Sequence, residues 1–371
     1  MSESPAKPAY SPGLDGVIAG ESAICSVQAD TGLHYYGYGI EGIADQITFE
    51  QVAWLLLHGE MPNPAELKEF ARQLAAGAAL PPAIVQMLKC FPKGTRAMDY
   101  LRTGISALSA FDPDLGHVDH AANLRKTIRL ISRMTSVTTA GWRVLHGQEP
   151  IVTGDMPLSA RLLMGISGQK PEEWVVRVMD TVMNLYAEHE FNASTFAARV
   201  TASTLADIYP AIVTALGALE GPLHGGANER AMTMLRNVGL AKNAEPWVKA
   251  ALAKREKIMG FGHRVYKKGD SRVPVMRQLL AEICRRKGDN TLLEVCQELE
   301  RVMEKEKGLF ANLDLYAAPV LNLLEIPPEL NTPLFACARV AGWCAHVIEQ
   351  QDHNRIIRPR SLYTGPAPRS M

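Results

Sequence analysis

Apolar side chains recur at i, i+3, i+4 and i+7 along most of this chain, the spacing that gathers them into one stripe of a helix. The clearest start signal is Asn63-Pro64-Ala65-Glu66, with Asn as N-cap, Pro at the first helical position and Glu at the third. Leu67, Phe70, Ala71 and Leu74 then form a single buried stripe. Similar periodicity predicts helices over Leu124 to Val144, Pro171 to Tyr186, Ser194 to Leu205, Ile208 to Leu219, Trp247 to Lys257, Leu292 to Lys307 and Pro333 to Gln350. Only near the start does the period change. Ser22 to Val27 and Leu33 to Tyr36 are short runs rich in β-branched or aromatic residues, separated by Gln-Ala-Asp-Thr-Gly, and they read as one small hairpin. The prediction is an all-α protein carrying a short N-terminal hairpin, without internal repeats of solenoid length.

Composition narrows the class. With 371 residues, 47% of them hydrophobic, the chain can build a large core, and at about 150 residues per domain two domains are expected, one larger than the other. Thirty-nine Lys and Arg balance thirty-nine Asp and Glu, so no global basic field exists to attract nucleic acid or anionic lipid. Anion recognition must then be local. The six cysteines form no C-x-x-C pair and read as reduced core residues in helical surroundings. The polar, Pro-rich start has no apolar signal region, and no run of about 18 uncharged apolar residues follows. A soluble cytoplasmic protein with no membrane segment and no added regulatory domain is expected.

Four segments depart from the amphipathic pattern by combining histidines, glycines and acids. They are Glu188-His189-Glu190-Phe191-Asn192-Ala193-Ser194, Gly221-Pro222-Leu223-His224-Gly225-Gly226-Ala227-Asn228, Gly260-Phe261-Gly262-His263-Arg264-Val265-Tyr266-Lys267-Lys268 and Asn312-Leu313-Asp314-Leu315-Tyr316. In the second, His224 and two glycines precede the helical pattern Ala227 to Leu235. A helix start offers free N–H groups that would keep an imidazole neutral, able to donate to a carbonyl turning into an enolate. A Gly-rich turn with an incidental histidine is the alternative. The third segment brackets His263 with glycines and follows it with Arg264, Lys267, Lys268 and Arg272, which suits a phosphate-bearing ligand and a carboxylate. A solvated basic loop would look the same. Asp314 sits among apolar residues, where burial raises a carboxylate's pKa and makes it a stronger base for a C–H proton. It could equally cap the helix beginning there.

Other chemistries lack their signatures: no H-E-x-x-H or paired C-x-x-C for a metal, and no G-x-S-x-G for a serine hydrolase. The arginines Arg339, Arg355, Arg358 and Arg360 near the end could form a nucleic-acid patch. With apolar residues interleaved and zero net charge, an ordered arm gripping a small polyanion fits better.

Taken in order, these segments resemble the citrate synthase family, 2-methylcitrate synthases included. The resemblance runs from Gly13-Leu14-Asp15-Gly16-Val17 and His34-Tyr35-Tyr36-Gly37-Tyr38 to Arg358-Pro359-Arg360-Ser361-Leu362-Tyr363-Thr364-Gly365. It implies a homodimer, possibly assembled further, in which a large domain (1–220 and 321–371) and a small domain (221–320) close over a cleft. It also implies roles. His224 would bond the thioester carbonyl, Asp314 would remove the α-proton of the acyl group, and His263 would protonate the ketone oxygen of oxaloacetate. His189, Arg272, Arg339 and Arg358 would hold oxaloacetate, Arg358 in the partner's cleft. Met259, Gly260, Phe261, Gly262 and Lys267 would contact coenzyme A, whose thioester is a substrate; no metal or other cofactor is implied.

The expected reaction is condensation of acetyl-CoA, oxaloacetate and water to citrate and CoA. Propionyl-CoA, giving 2-methylcitrate, is the alternative, and a catalytically retired structural homologue the non-enzymatic one. Glu188 to Thr195 is similar to 2-methylcitrate synthases, Gly262 to Lys267 to citrate synthases. Asp270-Ser271-Arg272 departs from the usual Asp-Pro-Arg, and Leu315, Ala317, Ala318 and Pro319 depart from the family's pattern after the aspartate.

Overall fold

A computed structural model describes residues 10–28, 31–262, 266 and 269–371. Among the described residues the sequence folds into fifteen α-helices and one small sheet. The sheet comprises β1 (Cys25–Gln28), β2 (Gly32–Tyr35) and β3 (Tyr38–Gly39), antiparallel in the order β1-β2-β3, with Cys25 opposite Tyr35 and Val27 opposite Leu33. Two of these strands are the expected hairpin. The third was not foreseen because two residues are too few to show alternation. Tyr36 and Gly37 both take positive φ, as a tight two-residue hairpin turn requires.

The helices are α1 (Phe49–His58), α2 (Pro64–Ala76), α3 (Pro82–Lys89), α4 (Ala97–Leu108), α5 (His120–Leu145), α6 (Leu158–Ser167), α7 (Glu173–Tyr186) and α8 (Ala193–Ala202). They continue with α9 (Ile208–Leu219), α10 (Ala227–Val238), α11 (Ala244–Ala253), α12 (Val273–Lys287), α13 (Thr291–Lys307), α14 (Leu313–Leu323) and α15 (Asn331–Asp352). Asn63 caps α2 as expected: its side chain accepts from the backbone of Ala65 and Glu66, and Glu66 reaches back to the Asn63 N–H.

Two helices stop earlier than the periodicity suggested. The helix expected to reach Leu205 ends at Ala202, and the one expected to reach Lys257 ends at Ala253. In both cases the chain turns on a non-glycine residue in the left-handed region, Leu205 and Arg255, a reversal that hydrophobic spacing does not encode. The cysteines also need correcting: Cys25 is on a strand and Cys90 is exposed at the end of α3, while the other four are buried on helices.

Helix α15 lies at the centre, against α1, α5, α7, α8 and α9. It is buried nearly all round: Leu334, Val340, Trp343, Cys344 and Val347 are fully enclosed, and so are the polar Arg339 and His346. Each large apolar side chain of this kind contributes about 1.5–3 kcal/mol relative to exposure. A second group of helices, α10, α12 and α13, packs on α14, and α11 packs on α13. Helix α10 touches both α14 and α15, so the loop preceding it, which carries His224, lies between the two groups. No helix is long and apolar enough to cross a membrane among the described residues.

Candidate active site

Helix α7 ends at Tyr186, and the chain runs through Ala187, Glu188 and His189 before Asn192 caps α8 by accepting from the Thr195 N–H at 3.1 Å. This turn is pinned from the sheet. The Tyr35 hydroxyl lies 3.0 Å from the Asn184 carbonyl and 3.1 Å from both the Glu188 carbonyl and the Glu188 N–H. His189 is thereby held in a buried position, its ring edge-on to Tyr266 with centroids 5.7 Å apart.

The loop from α9 to α10 is tight. The His224 N–H donates to the Gly221 carbonyl and the Gly225 N–H to Leu219, each at 2.9 Å. A Cβ on Gly225 would lie 2.8 Å from the Leu219 carbonyl oxygen, so the close approach needs glycine. His224 Nε2 is 2.8 Å from Ser194 Oγ, which accepts from Trp343 Nε1–H at 3.1 Å. Ser194 Oγ also lies 2.7 Å from Asn192 Oδ1, to which its one hydroxyl hydrogen is donated; when that hydrogen turns to Nε2 instead, the imidazole proton resides on Nδ1 and can be donated to a ligand. Burial, and secondarily the charge of Arg339, push the His224 pKa down to about 4. The ring is therefore neutral as expected, but for a different reason: His224 precedes α10 by three residues, and desolvation rather than the helix start dominates.

Asp314 occupies the second position of α14. Asn312 is the cap, its Oδ1 accepting from the Asp314 N–H at 3.1 Å, so the alternative in which Asp314 serves as a helix cap is set aside. The Asp314 carboxylate instead accepts from the Tyr186 hydroxyl at 3.2 Å, and that hydroxyl accepts from Asn228 Nδ2 at 2.9 Å. Burial raises the Asp314 pKa to about 6 against the lowering effects of Arg272 and the Tyr186 hydrogen bond, with Asp270 adding to the rise.

The glycine loop is stitched to the strand-like entry of α14. Gly262 donates to Phe310, the Asn312 N–H to Gly260, and Asn312 Nδ2 to Gly262, at 2.9, 2.9 and 3.0 Å, while Phe261 bridges to Ala311. Gly260 has φ +79°, and a Cβ there would come within 2.9 Å of Leu315 Cβ. Met259 and Phe261 are buried beside it. His263 and Lys267 lie outside the described residues.

Of the four expected oxaloacetate ligands, His189, Arg272 and Arg339 are buried. Arg272 is engaged by Asp270 through Nε and Nη2, at 2.9 and 2.7 Å, and by the Leu185 carbonyl at 3.3 Å, so part of its donor fork serves the protein. Arg339 donates through Nε to the Tyr186 carbonyl at 2.6 Å and lies over the Phe335 ring, but its buried Nη1 has no hydrogen-bond partner among the described residues. A buried guanidinium with an open donor and no bonded carboxylate is a ready anion site. Arg358 is on the exposed C-terminal arm, anchored where the Ile357 N–H meets Ser203 Oγ at 3.0 Å, and is not brought beside the other three.

Phe335 ties the groups together. Its ring centroid is 4.4 Å from that of Tyr186 and 6.1 Å from that of His224, and 4.8 Å from the Arg339 guanidinium carbon. Tyr186, Asn228, Trp343 and Phe335 were not found by sequence reasoning, nor was the role of Ser194. Tyr186, Trp343 and Phe335 fall on apolar helical stripes and read as ordinary core; Asn228 reads as a polar residue in a first helical turn.

A carboxylate poised near pH 6, a neutral imidazole and an open guanidinium around one aromatic ring can remove a proton next to a carbonyl, stabilise the enol and hold an anionic partner. The comparisons with known proteins point the same way. The family described as "Citrate synthase, C-terminal domain" matches residues 13–360. The chain is 42% identical over 356 residues to "Citrate synthase 2" of Bacillus subtilis, covering 95% of each. It is 41% identical over 360 residues to "Citrate/2-methylcitrate synthase" of the same organism, covering 96% of this chain and 97% of that one. The solved ternary complex of the citrate synthase from Thermoplasma acidophilum with carboxymethyl coenzyme A and oxaloacetate superposes with a TM-score of 0.91 at 29% identity, over 98% of both chains. Full-length similarity of sequence and fold, together with these convergent side chains, establishes that the chain belongs to the citrate synthase family and is an acyltransferase of that type.

Proposed function

We propose that the chain condenses acetyl-CoA with oxaloacetate and hydrolyses the resulting thioester to citrate and CoA. The observation that carries this reading is the Asp314 carboxylate held by the Tyr186 hydroxyl, with His224 and Arg339 around the same phenyl ring. Asp314 takes a proton from the acyl methyl group while His224 donates to the thioester oxygen, giving the enol. The enol carbon attacks the ketone carbon of oxaloacetate, whose oxygen is protonated by His263. Water then displaces CoA. His189, Arg272 and Arg339 hold the dianion, and Arg358 enters the cleft of a second copy in a homodimer. Met259 to Gly262 and Lys267 receive CoA. The segment 221–320 acts as a small domain that closes on the rest and excludes water until the carbon–carbon bond has formed. The chain works in the cytoplasm.

A second reading, propionyl-CoA giving 2-methylcitrate, is favoured by one feature. Ala317 and Ala318 follow Asp314 by three and four positions, so small side chains share its helix face. One methyl group in an apolar pocket discriminates by only about 1–3 kcal/mol. CoA release, followed with a thiol reagent from acetyl-CoA and propionyl-CoA with and without oxaloacetate, tests both. Release that does not depend on oxaloacetate would remove the condensation, and the ratio of the two kcat/KM values decides the acyl group.

A further inference from the structure

Directly behind the proposed oxaloacetate ligands, four ionisable side chains form a continuous row, buried at Glu188, His346 and Arg199 and half-buried at Glu349. Glu188, which precedes His189, is fully buried, and its Oε1 is 3.0 Å from His346 Nε2. His346, also fully buried, places Nδ1 3.0 Å from Arg199 Nη1. The same Arg199 nitrogen donates to Glu349 Oε2 at 2.6 Å. Glu349 Oε1 accepts from the Ala23 N–H at 2.8 Å and the Ser22 hydroxyl at 3.3 Å, both in the segment leading into β1. The row thus runs from the substrate pocket to the N-terminal segment.

Donor logic fixes the direction of its hydrogen bonds. A guanidinium has no acceptor, so His346 Nδ1 must accept from Arg199, and the imidazole proton is left on Nε2, pointing at Glu188. His346 is then a neutral connector between an Arg199–Glu349 ion pair and a buried carboxylate.

The packing has room for this row and little else. A Cβ on Gly342 would meet Glu188 Oε2 at 2.1 Å and the Ala187 carbonyl at 2.5 Å. Arg339, Gly342 and His346 follow one another by three and four positions on α15, so a single helix face presents them to the turn 186–189. Glu188 is also the largest favourable charge acting on Arg339. On the far side Phe191 is covered by the Arg199 guanidinium at 4.6 Å, and its ring lies 3.2 Å from where a Gly20 Cβ would be. Glu190, between these residues, holds a left-handed φ of 56°, a conformation that must be imposed by its neighbours.

We propose that His346 is a positioning residue for oxaloacetate: through Glu188 it fixes the turn bearing His189 and the countercharge of Arg339, and through Arg199 and Glu349 it braces that turn against segment 20–23. This rests on the reading of the site as an oxaloacetate pocket. His346 touches no reacting atom in this scheme, so its loss should weaken the keto-acid and leave the acyl-CoA side alone.

The test compares His346→Leu, which removes both ring nitrogens at similar volume, with His346→Gln, whose amide can donate to Glu188 and accept from Arg199. Each variant is checked for folding by circular dichroism. Oxaloacetate affinity is then measured by calorimetry and both KM values from CoA release. Orphaning a buried charged partner costs enough that the Leu variant should bind oxaloacetate about ten-fold more weakly or worse, with KM for acyl-CoA unchanged, and the Gln variant should recover most of the loss. Equal weakening toward both substrates, or no recovery with Gln, would overturn the proposal. If the Leu variant does not fold, Glu349→Gln at the outer end takes its place. It should raise the oxaloacetate KM with little change in kcat, and an unchanged KM would count against the row. Wild-type protein that fails to bind oxaloacetate at all would instead remove the underlying functional reading.

Discussion

The Tyr186 hydroxyl donates to the Asp314 carboxylate across 3.2 Å, joining residues 128 positions apart. The pair couples the end of α7 to the start of α14, and Asn228 couples both to α10. The Asp314 carboxylate is therefore oriented by the end of α7, itself tied to α10, the helix that follows the loop carrying His224.

Removing the base is the most direct test. Asp314→Asn keeps the shape and the hydrogen bond to Tyr186 but cannot take a proton, and kcat should fall by roughly 10²–10⁴-fold while calorimetry still detects oxaloacetate. Turnover close to wild type would sink the assignment of Asp314.

Tyr186→Phe should act on the pH profile. Asp314 must be ionised to work, so kcat/KM is expected to rise through about pH 6 and level off above it. The Tyr186 hydrogen bond favours the ionised form, and losing it raises the pKa, so the acidic limb of kcat/KM should move to higher pH. A limb that stays in place would mean the contact is structural only.

His224 should remain neutral throughout the working range, since its pKa is pushed down to about 4. Its nitrogen resonances should show no titration between about pH 5.5 and pH 8 in an NMR series. His224→Ala should lower kcat by roughly 10²–10³-fold, as loss of an oxyanion donor does.

Gly260→Ala tests the stitched loop. A side chain there faces both a left-handed backbone and Leu315, and the strain should cost about 1–3 kcal/mol. A lower melting temperature together with a raised KM for acyl-CoA is expected; an unchanged melting temperature would show that the loop yields.

One stability effect lies outside the site. Asp180, whose Oδ1 accepts from the Phe49 N–H at 3.3 Å, has its pKa raised to about 7 by burial and then by Glu50. An acid with a folded pKa above its unfolded value of about 3.9 binds its proton more tightly when folded, so stability falls as pH rises from about 4 to about 7 and is flat above. Asp180→Asn should remove this loss, and its advantage in urea unfolding should grow across that window to about 4 kcal/mol at most. A gap independent of pH would contradict the assignment.

Much of this was written in local spacing. The helical stripes gave the class of fold, and the Asn63 cap fell where its motif predicts, because capping and amphipathicity are decided within a few residues. Asp314 and His224 stood out because a charged or titratable group among apolar residues and glycines is unusual in any helix. Tyr186, Phe335 and Trp343 did not, since an aromatic on a buried stripe looks the same whether or not its polar atom meets a carboxylate. The ends at Ala202 and Ala253 were hidden for a different reason: the left-handed turns at Leu205 and Arg255 fall on exposed residues that are neither glycine nor proline, so no local signal marks them.

The central position of α15 bears on how the chain is made. Ser194 meets Trp343 and Arg339 meets Tyr186 across 149 and 153 positions. During synthesis the apolar faces of α1, α5, α8 and α9 must wait for a helix that is made after all four. Until then they lack the partner they share and are open to aggregation, as long-range topologies are. A chain truncated before Asn331 would lose the axle of the bundle along with two walls of the cleft. The order of translation leaves Ser194 and Tyr186 without these partners until α15 has been made.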